Sequence, residues 1–354
     1  MDFSKKIQLF QQKMHFSQDE ICKRTGFKRD YIVGNVSPNV EIAFCIAFNQ
    51  ATDLDCAPYI ESINPAWIRK FPIRALQRKG YIPEGLADTD LTRAVLSFMG
   101  VGSIEGFRNY YAATLNSANP QTYAAWIRMG ELSIKRATKE FTLDNEFVIN
   151  GLKYLKQNIL LRTTLQKNHL RESTKEILNH SGIEFIEVEP FLTAAYPICA
   201  CYWVGNQPVI QVSTTEMSDS TFLEAVYHAV AHIMLHPKRT MCLIAPQGSQ
   251  QAAKMQAENS AKENSNIQED TQTQQIQIEL AKAKCAEATR FAQDMLLSEA
   301  EECELICSGH FEEPKCIKYF AGIFRVRPGI LVERLQQQGK IKRRTPLNEL
   351  KQAV

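Results

Sequence analysis

The sequence predicts an α+β protein: an all-helical amino-terminal part with a helix-turn-helix pattern, a helical connector, and a carboxy-terminal domain with a small antiparallel sheet. Three observations carry this reading. Apolar residues recur at helical spacing from about residue 5 to residue 166. Three short runs rich in β-branched and aromatic residues then follow, IEFIEVE, ACYWVG and QPVIQVS. Directly after them comes FLEAVYHAVAHIMLH, in which His228 and His232 stand four residues apart. The divisions read as 1–62, 63–165 and 166–350, with a low-complexity insertion at 247–277.

A chain of 354 residues is long enough for two or three compact units, each with its own core. Lys and Arg number 41 against 39 Asp and Glu, so no global field commits the molecule to nucleic acid, and any basic site must be local. No stretch approaches the roughly 20 apolar residues of a membrane span, and the first residues lack a signal-peptide core. The expectation is a cytoplasmic protein with no membrane partner. Ten cysteines at irregular positions then read as reduced thiols, mostly filling core space. No glycine-rich phosphate loop is present, which argues against a nucleotide-driven enzyme.

Residues 17–36, SQDEICKRTGFKRDYIVGNV, fit two short helices joined by a turn at Gly26. Cys22 takes the small-residue position, and Phe27 and Ile32 anchor the pair in a core. Gln18, Lys28, Arg29 and Tyr31 are then the side chains available to phosphates and base edges. Gly34 and Asn35 are poor helix formers, so the second helix is expected to be short. The plainer alternative is a helix-turn-helix kept for dimerisation or partner binding. From Asn64 to Gln166 the pattern stays helical, broken at Gly80, Pro83, Gly100 and Pro120, and carries no chemical motif.

The second and third strand-like runs flank Gly205-Asn206, a hairpin signal. The long helix after them is expected to be capped by Ser220 and stopped by Pro237. Residues 247–277 are dominated by Gln, Asn, Ser, Ala, Glu and Lys. Such a segment has little to bury, and disorder is favoured over a solvated helix. Order is expected to resume near Ile278, in a helix through AKCAEATRFAQDMLL.

Histidines at i and i+4 lie on one helix face and can hold one metal ion. Zinc is the expected cofactor. Tetrahedral zinc in a hydrolase takes three protein ligands and leaves a fourth position for water, and Glu287 is the natural third ligand here. The general base of an HExxH motif belongs immediately after the first histidine, where this chain has Ala229. Glu224 and His236 lie one turn before and after the pair and sit at the wrong offset for a base. Glu224 could orient a histidine, and His236 could ligate or pack at the helix end. Taken alone, such a histidine pair is more simply a coincidence on an amphipathic helix; the strands before it and EATRFA after it favour metal.

Other signals have simpler accounts. The set Cys303, Cys307, His310 and Cys316 could be a second metal site, but its spacing is not a recognised zinc finger, and the cysteines read as buried thiols. Cys199 and Cys201 alternate along a strand and read as core. The basic residues Arg325, Arg327, Arg334, Lys340, Lys342, Arg343 and Arg344 read as a solvated face more readily than a binding surface.

FLEAVYHAVAHIMLHPKR followed by EATRFAQDMLL resembles the ImmA/IrrE metallopeptidase-like domain. The segments FAGIFRVRPGILVERLQQQGKI and LNELK are similar to the end of that domain in HigA-like regulators. AWIRKFPIRALQRKGYI, VLSFMGVGSIEGF and AAWIRMGEL extend the likeness over most of the chain outside the insertion. The resemblance implies an Xre-type helix-turn-helix joined to a zincin-like domain, with metal ligands at His228, His232 and Glu287 and the catalytic base at Ala229. It implies a transcriptional regulator or antitoxin, expected as a homodimer, whose partner is operator DNA or a cognate toxin or repressor protein. With alanine at the base position, the metallopeptidase-like domain is expected to be degenerate and non-catalytic. The alternative is an active zinc metallopeptidase that cleaves a repressor or partner.

Overall fold

The computed structural model describes residues 3–32, 36–115, 117, 119–135, 143–157, 169–191, 198–236, 241–244 and 271–354. These form a mostly helical α+β protein with one small four-stranded sheet, divided into two compact units. None of the described helices is long and apolar enough to cross a membrane.

The first unit is built mainly from residues 1–139, whose described elements are all helical. It begins with α1 (Phe3–Met14), α2 (Gln18–Thr25), α3 (Arg29–Ile32) and α4 (Pro38–Ala47). Ser17 caps α2 by accepting from the Glu20 amide, and Gly26 ends it in the left-handed region at φ 85°. Ile7, Ile21, Ile32, Val40 and Phe44 close a small core, on which Phe3, Phe10, Phe16, Phe27 and Phe48 pack. Second come α5 (Ala57–Glu61), α6 (Pro65–Ile68), α7 (Ile73–Arg78), α8 (Asp88–Met99), α9 (Ile104–Tyr110) and α10 (Pro120–Ser133).

Close backbone approach joins α2 to α9. A Cβ on Gly106 would lie 2.2 Å from the Arg24 carbonyl oxygen, and one on Gly26 would lie 2.6 Å from the Gly106 nitrogen. The Gly102 amide donates to that same Arg24 carbonyl, and Ser103 donates to the Thr25 carbonyl. The Arg24 side chain also turns inward. It donates to the Gly100 carbonyl and to Glu131, and stacks 3.7 Å from the Tyr110 ring. Burial works against the Glu131 carboxylate, but Arg24 and Arg128 overcome it and hold its pKa below the ordinary value.

The second unit holds α11 (Asn145–Gln157), α12 (His169–His180), β1 (Glu184–Val188), β2 (Cys199–Val204), β3 (Gln207–Ser213), α13 (Asp219–Leu235) and β4 (Cys242–Ile244). After these come α14 (Thr271–Leu296), α15 (Glu299–Cys307), α16 (Pro314–Phe324) and α17 (Pro328–Gln337). The three predicted strands are present, but the sheet is mixed, not antiparallel as expected. Its order is β1-β3-β2-β4, with β1 parallel to β3 and β4 antiparallel to β2. Alternating apolar residues specify which face of a strand is buried, not the direction of its neighbour, and β1 pairs with β3 instead of its neighbour in sequence.

Two helix boundaries also differ from expectation. Ser218, not Ser220, caps α13 by accepting from the Thr221 amide. The capping side chain must precede the first helical residue, and Asp219 is already helical. The helix after the insertion begins at Thr271, seven residues before Ile278. Residues 247–270 of the expected insertion, and Gly34 and Asn35, lie outside the described residues.

A single apolar core runs through this unit. Phe185, Cys199, Cys201, Ile210 and Val212 of the sheet meet Phe222, Val226, Ala229, Val230 and Ile233 of α13, with Ala292 and Leu296 of α14 beyond. The core therefore surrounds α13 on several sides and fixes its rotation about its own axis. The Tyr227 hydroxyl locks it further by donating to the Leu152 carbonyl.

Candidate metal centre

The rotation of α13 brings His228, His232 and His236, one turn apart, to the side facing α14 and β4. All three are buried. Nε2 of His228 and Nε2 of His232 lie 3.0 Å apart. The Cys285 thiol of α14 lies 3.5 Å from His228 Nε2, and the Cys242 thiol of β4 lies 3.2 Å from His232 Nε2. The donor atoms of His228, His232 and Cys285 all fall within 4.8 Å of one another, a cluster that could hold a metal ion. Among the described residues it is the one such group.

The hydrogen bonds outside the cluster fix how the imidazoles are protonated. Thr289 donates its hydroxyl proton to the Cys285 carbonyl, so its oxygen accepts from His228 Nδ1 at 3.3 Å. His236 Nε2 lies 3.1 Å from the Glu287 carboxylate and donates to it, which leaves His236 Nδ1 to accept from His232 Nδ1 at 2.9 Å. In the neutral rings this arrangement places the proton on both Nδ1 atoms and turns both Nε2 lone pairs into the cluster. Such outer hydrogen bonds fix the tautomer and orientation of metal-binding histidines. Burial also holds His232 below the ordinary imidazole pKa, so it stays neutral and able to ligate.

The thiols respond to the same enclosure. The Cys242 thiol is pushed well up, first by its hydrogen bond with Cys201 and further by burial, and contact with Cys285 opposes this. Contact with Cys242 raises Cys285 likewise, against the hydrogen bonds to His228 and His232. Without a cation, each thiol serves as a donor toward an unprotonated imidazole nitrogen. With one, the same four atoms present lone pairs.

Glu287, expected as the third ligand, belongs to the outer layer. It is exposed, and its carboxylate reaches His236. Helical phase explains this: Cys285, Ala288, Thr289 and Ala292 share the face against α13, while Glu287 is about 200° around the helix from Cys285. The signal in the sequence was the apolar spacing Ala288, Ala292, Leu296, which selects Cys285 as the inward residue one turn earlier. Cys242 gave less warning, because β4 is only three residues long.

The other candidates take separate places. Ala229 is fully buried within the apolar core. Glu224 bonds Gln337 of α17, and its second carboxylate oxygen is buried without a hydrogen-bond partner. Of the second cysteine group, Cys303 and Cys307 are exposed, not buried as expected, His310 pairs with Glu313, and Cys316 meets Ser308. Two members of the expected basic face turn inward: Arg327 pairs with buried Asp219, and Arg334 donates to the carbonyls of Gln293 and Leu297. In the first unit Lys28, Arg29 and Tyr31 are exposed at the start of α3 and Gln18 is partly exposed at the start of α2.

Comparison with protein-family models, with curated proteins and with solved structures finds no match.

Proposed function

We propose that this chain is a DNA-binding regulator or antitoxin-like protein whose second unit is a metallopeptidase-like domain retained to hold zinc, not to hydrolyse peptides. The observation that carries the reading is the pairing of a histidine and thiol cluster with buried Ala229 in place of a general base. A zinc-bound water needs a carboxylate to take its proton and pass it to the leaving amine. Ala229 offers none, and its surroundings are apolar core. Thiolate and imidazole donors suit zinc.

The first unit supports the DNA-binding half of the reading. Two short helices meet at a left-handed glycine, and Lys28, Arg29 and Tyr31 lie exposed beyond the turn. Operator DNA, a cognate toxin or a repressor is the partner expected of a homodimer built this way.

The test uses the purified full chain, assayed for zinc, for cleavage of proteins encoded beside it, and for binding to its own upstream DNA across a salt series. The reading predicts bound zinc, no cleavage, and affinity that falls steeply with salt. Metal-dependent cleavage that disappears in His232→Ala would establish the active-peptidase alternative instead. Absence of DNA binding even at low salt would remove the repressor role and leave neutralisation of a toxin by contact.

A further inference from the structure

We propose that Cys242 is a fourth ligand, so that His228, His232, Cys242 and Cys285 form a closed tetrahedral zinc site with two imidazoles and two thiolates. This rests on the metal reading above and goes beyond it, because it fills the position that a hydrolytic water would occupy. The four donors come from three elements. α13 supplies both imidazoles, β4 supplies Cys242 and α14 supplies Cys285.

Three of the separations lie near those expected around one ion. Zinc sits about 2.3 Å from sulfur and about 2.0–2.1 Å from nitrogen, so a tetrahedron has edges of roughly 3.3 Å between nitrogens and 3.6 Å between nitrogen and sulfur. The corresponding separations are 3.0 Å between the two Nε2 atoms, 3.5 Å from Cys285 to His228 and 3.2 Å from Cys242 to His232. A divalent ion entering this set displaces the two thiol protons to solvent, so the net charge of the buried cluster is unchanged.

Cys201 has a supporting place. It pairs with Cys242 across the β2–β4 ladder. Closed four-ligand sites of this kind contribute folding energy instead of chemistry. Cys242 and Cys285 also stand on either side of the Gln-rich insertion, so one ion joins the two strands of chain that bracket it.

Zinc-edge X-ray absorption of the zinc-loaded full chain tests this. The expected first shell is two sulfurs and two nitrogens, at about 2.3 and 2.0 Å. Cobalt-loaded protein gives an independent reading, because the thiolate-to-cobalt charge-transfer intensity per ion should halve in Cys242→Ser and stay unchanged in Cys201→Ser. Zinc held by one sulfur and an added oxygen would overturn the fourth ligand while leaving the metal site standing. Halving in Cys201→Ser, with no change in Cys242→Ser, would move the ligand to Cys201 and overturn the assignment. Failure of the unaltered chain to hold zinc or cobalt would overturn both readings.

Discussion

His228 and His232 bring their Nε2 atoms within 3.0 Å of one another, and the Nδ1 atom of each ring has a partner outside the cluster. For His232 the chain of partners runs through His236 to Glu287. This places Glu287 two hydrogen bonds from the cluster. Glu287→Gln should therefore weaken zinc binding only about 10-fold to 100-fold, the usual effect of removing an orienting group. His232→Ala should abolish it. Competition against a chromophoric chelator measures both, and an equal loss in the two variants would return the carboxylate to the ligand set.

Restoring HExxH should not restore an enzyme. Ala229 is fully buried among apolar side chains, so Ala229→Glu forces a carboxylate into the core and should cost about 3 kcal/mol or more. Thermal unfolding should show a lower Tm, and peptide hydrolysis should stay at background. A variant that keeps its Tm and cleaves a peptide with added zinc would show that the base position opens onto the metal.

Glu224 makes the second unit sensitive to pH. Burial pushes its carboxyl up from the ordinary 4.5 to about 7, against the hydrogen bond from Gln337. Between those values the folded state keeps a proton that the unfolded state has released, so stability falls as pH rises from about 4.5 to about 7 and then levels off. The loss is on the order of 3 kcal/mol at most. Glu224→Gln, an isostere of the neutral form, should match the unaltered chain near pH 4.5 and exceed its Tm near pH 8. A Tm difference that does not change with pH would contradict this.

The junction of α2 with α9 should tolerate no added volume. Gly106→Ala sets a methyl group 2.2 Å from the Arg24 carbonyl oxygen, where backbone cannot yield without breaking the Gly102 and Ser103 hydrogen bonds. A loss of about 1–3 kcal/mol is expected on denaturant unfolding. Gly80→Ala is a control for a glycine with nothing within 4 Å, although its own φ of 76° adds strain. Equal losses would show that backbone conformation, not crowding, governs Gly106.

Lys28→Ala and Arg29→Ala should each weaken binding to upstream DNA and reduce the salt slope by about 1, with little change in Tm, because both side chains are exposed. An unchanged slope in the double variant would remove this surface from the interface.

Much of this was legible in the sequence, for identifiable reasons. The strands of residues 184–188, 199–204 and 207–213 stood out because β-branched and aromatic residues run between clear breaks. The histidine pair needed only the pitch of a helix. The parallel pairing of β1 with β3 was not legible, since face alternation is blind to strand direction. Cys285 was within reach through its phase with Ala288 and Ala292, but the carboxylate of Glu287 drew the assignment two residues along the helix. Cys242 depends on where a three-residue strand joins the sheet edge, which is a tertiary fact.

Everything proposed for the second unit depends on zinc being held by its histidine and thiol cluster. Metal analysis of the purified full chain beside His232→Ala tests it most directly. The expected result is one zinc per unaltered chain and none in the variant. An unaltered chain that remains metal-free after equilibration with zinc, or a variant that retains a full equivalent, would contradict it.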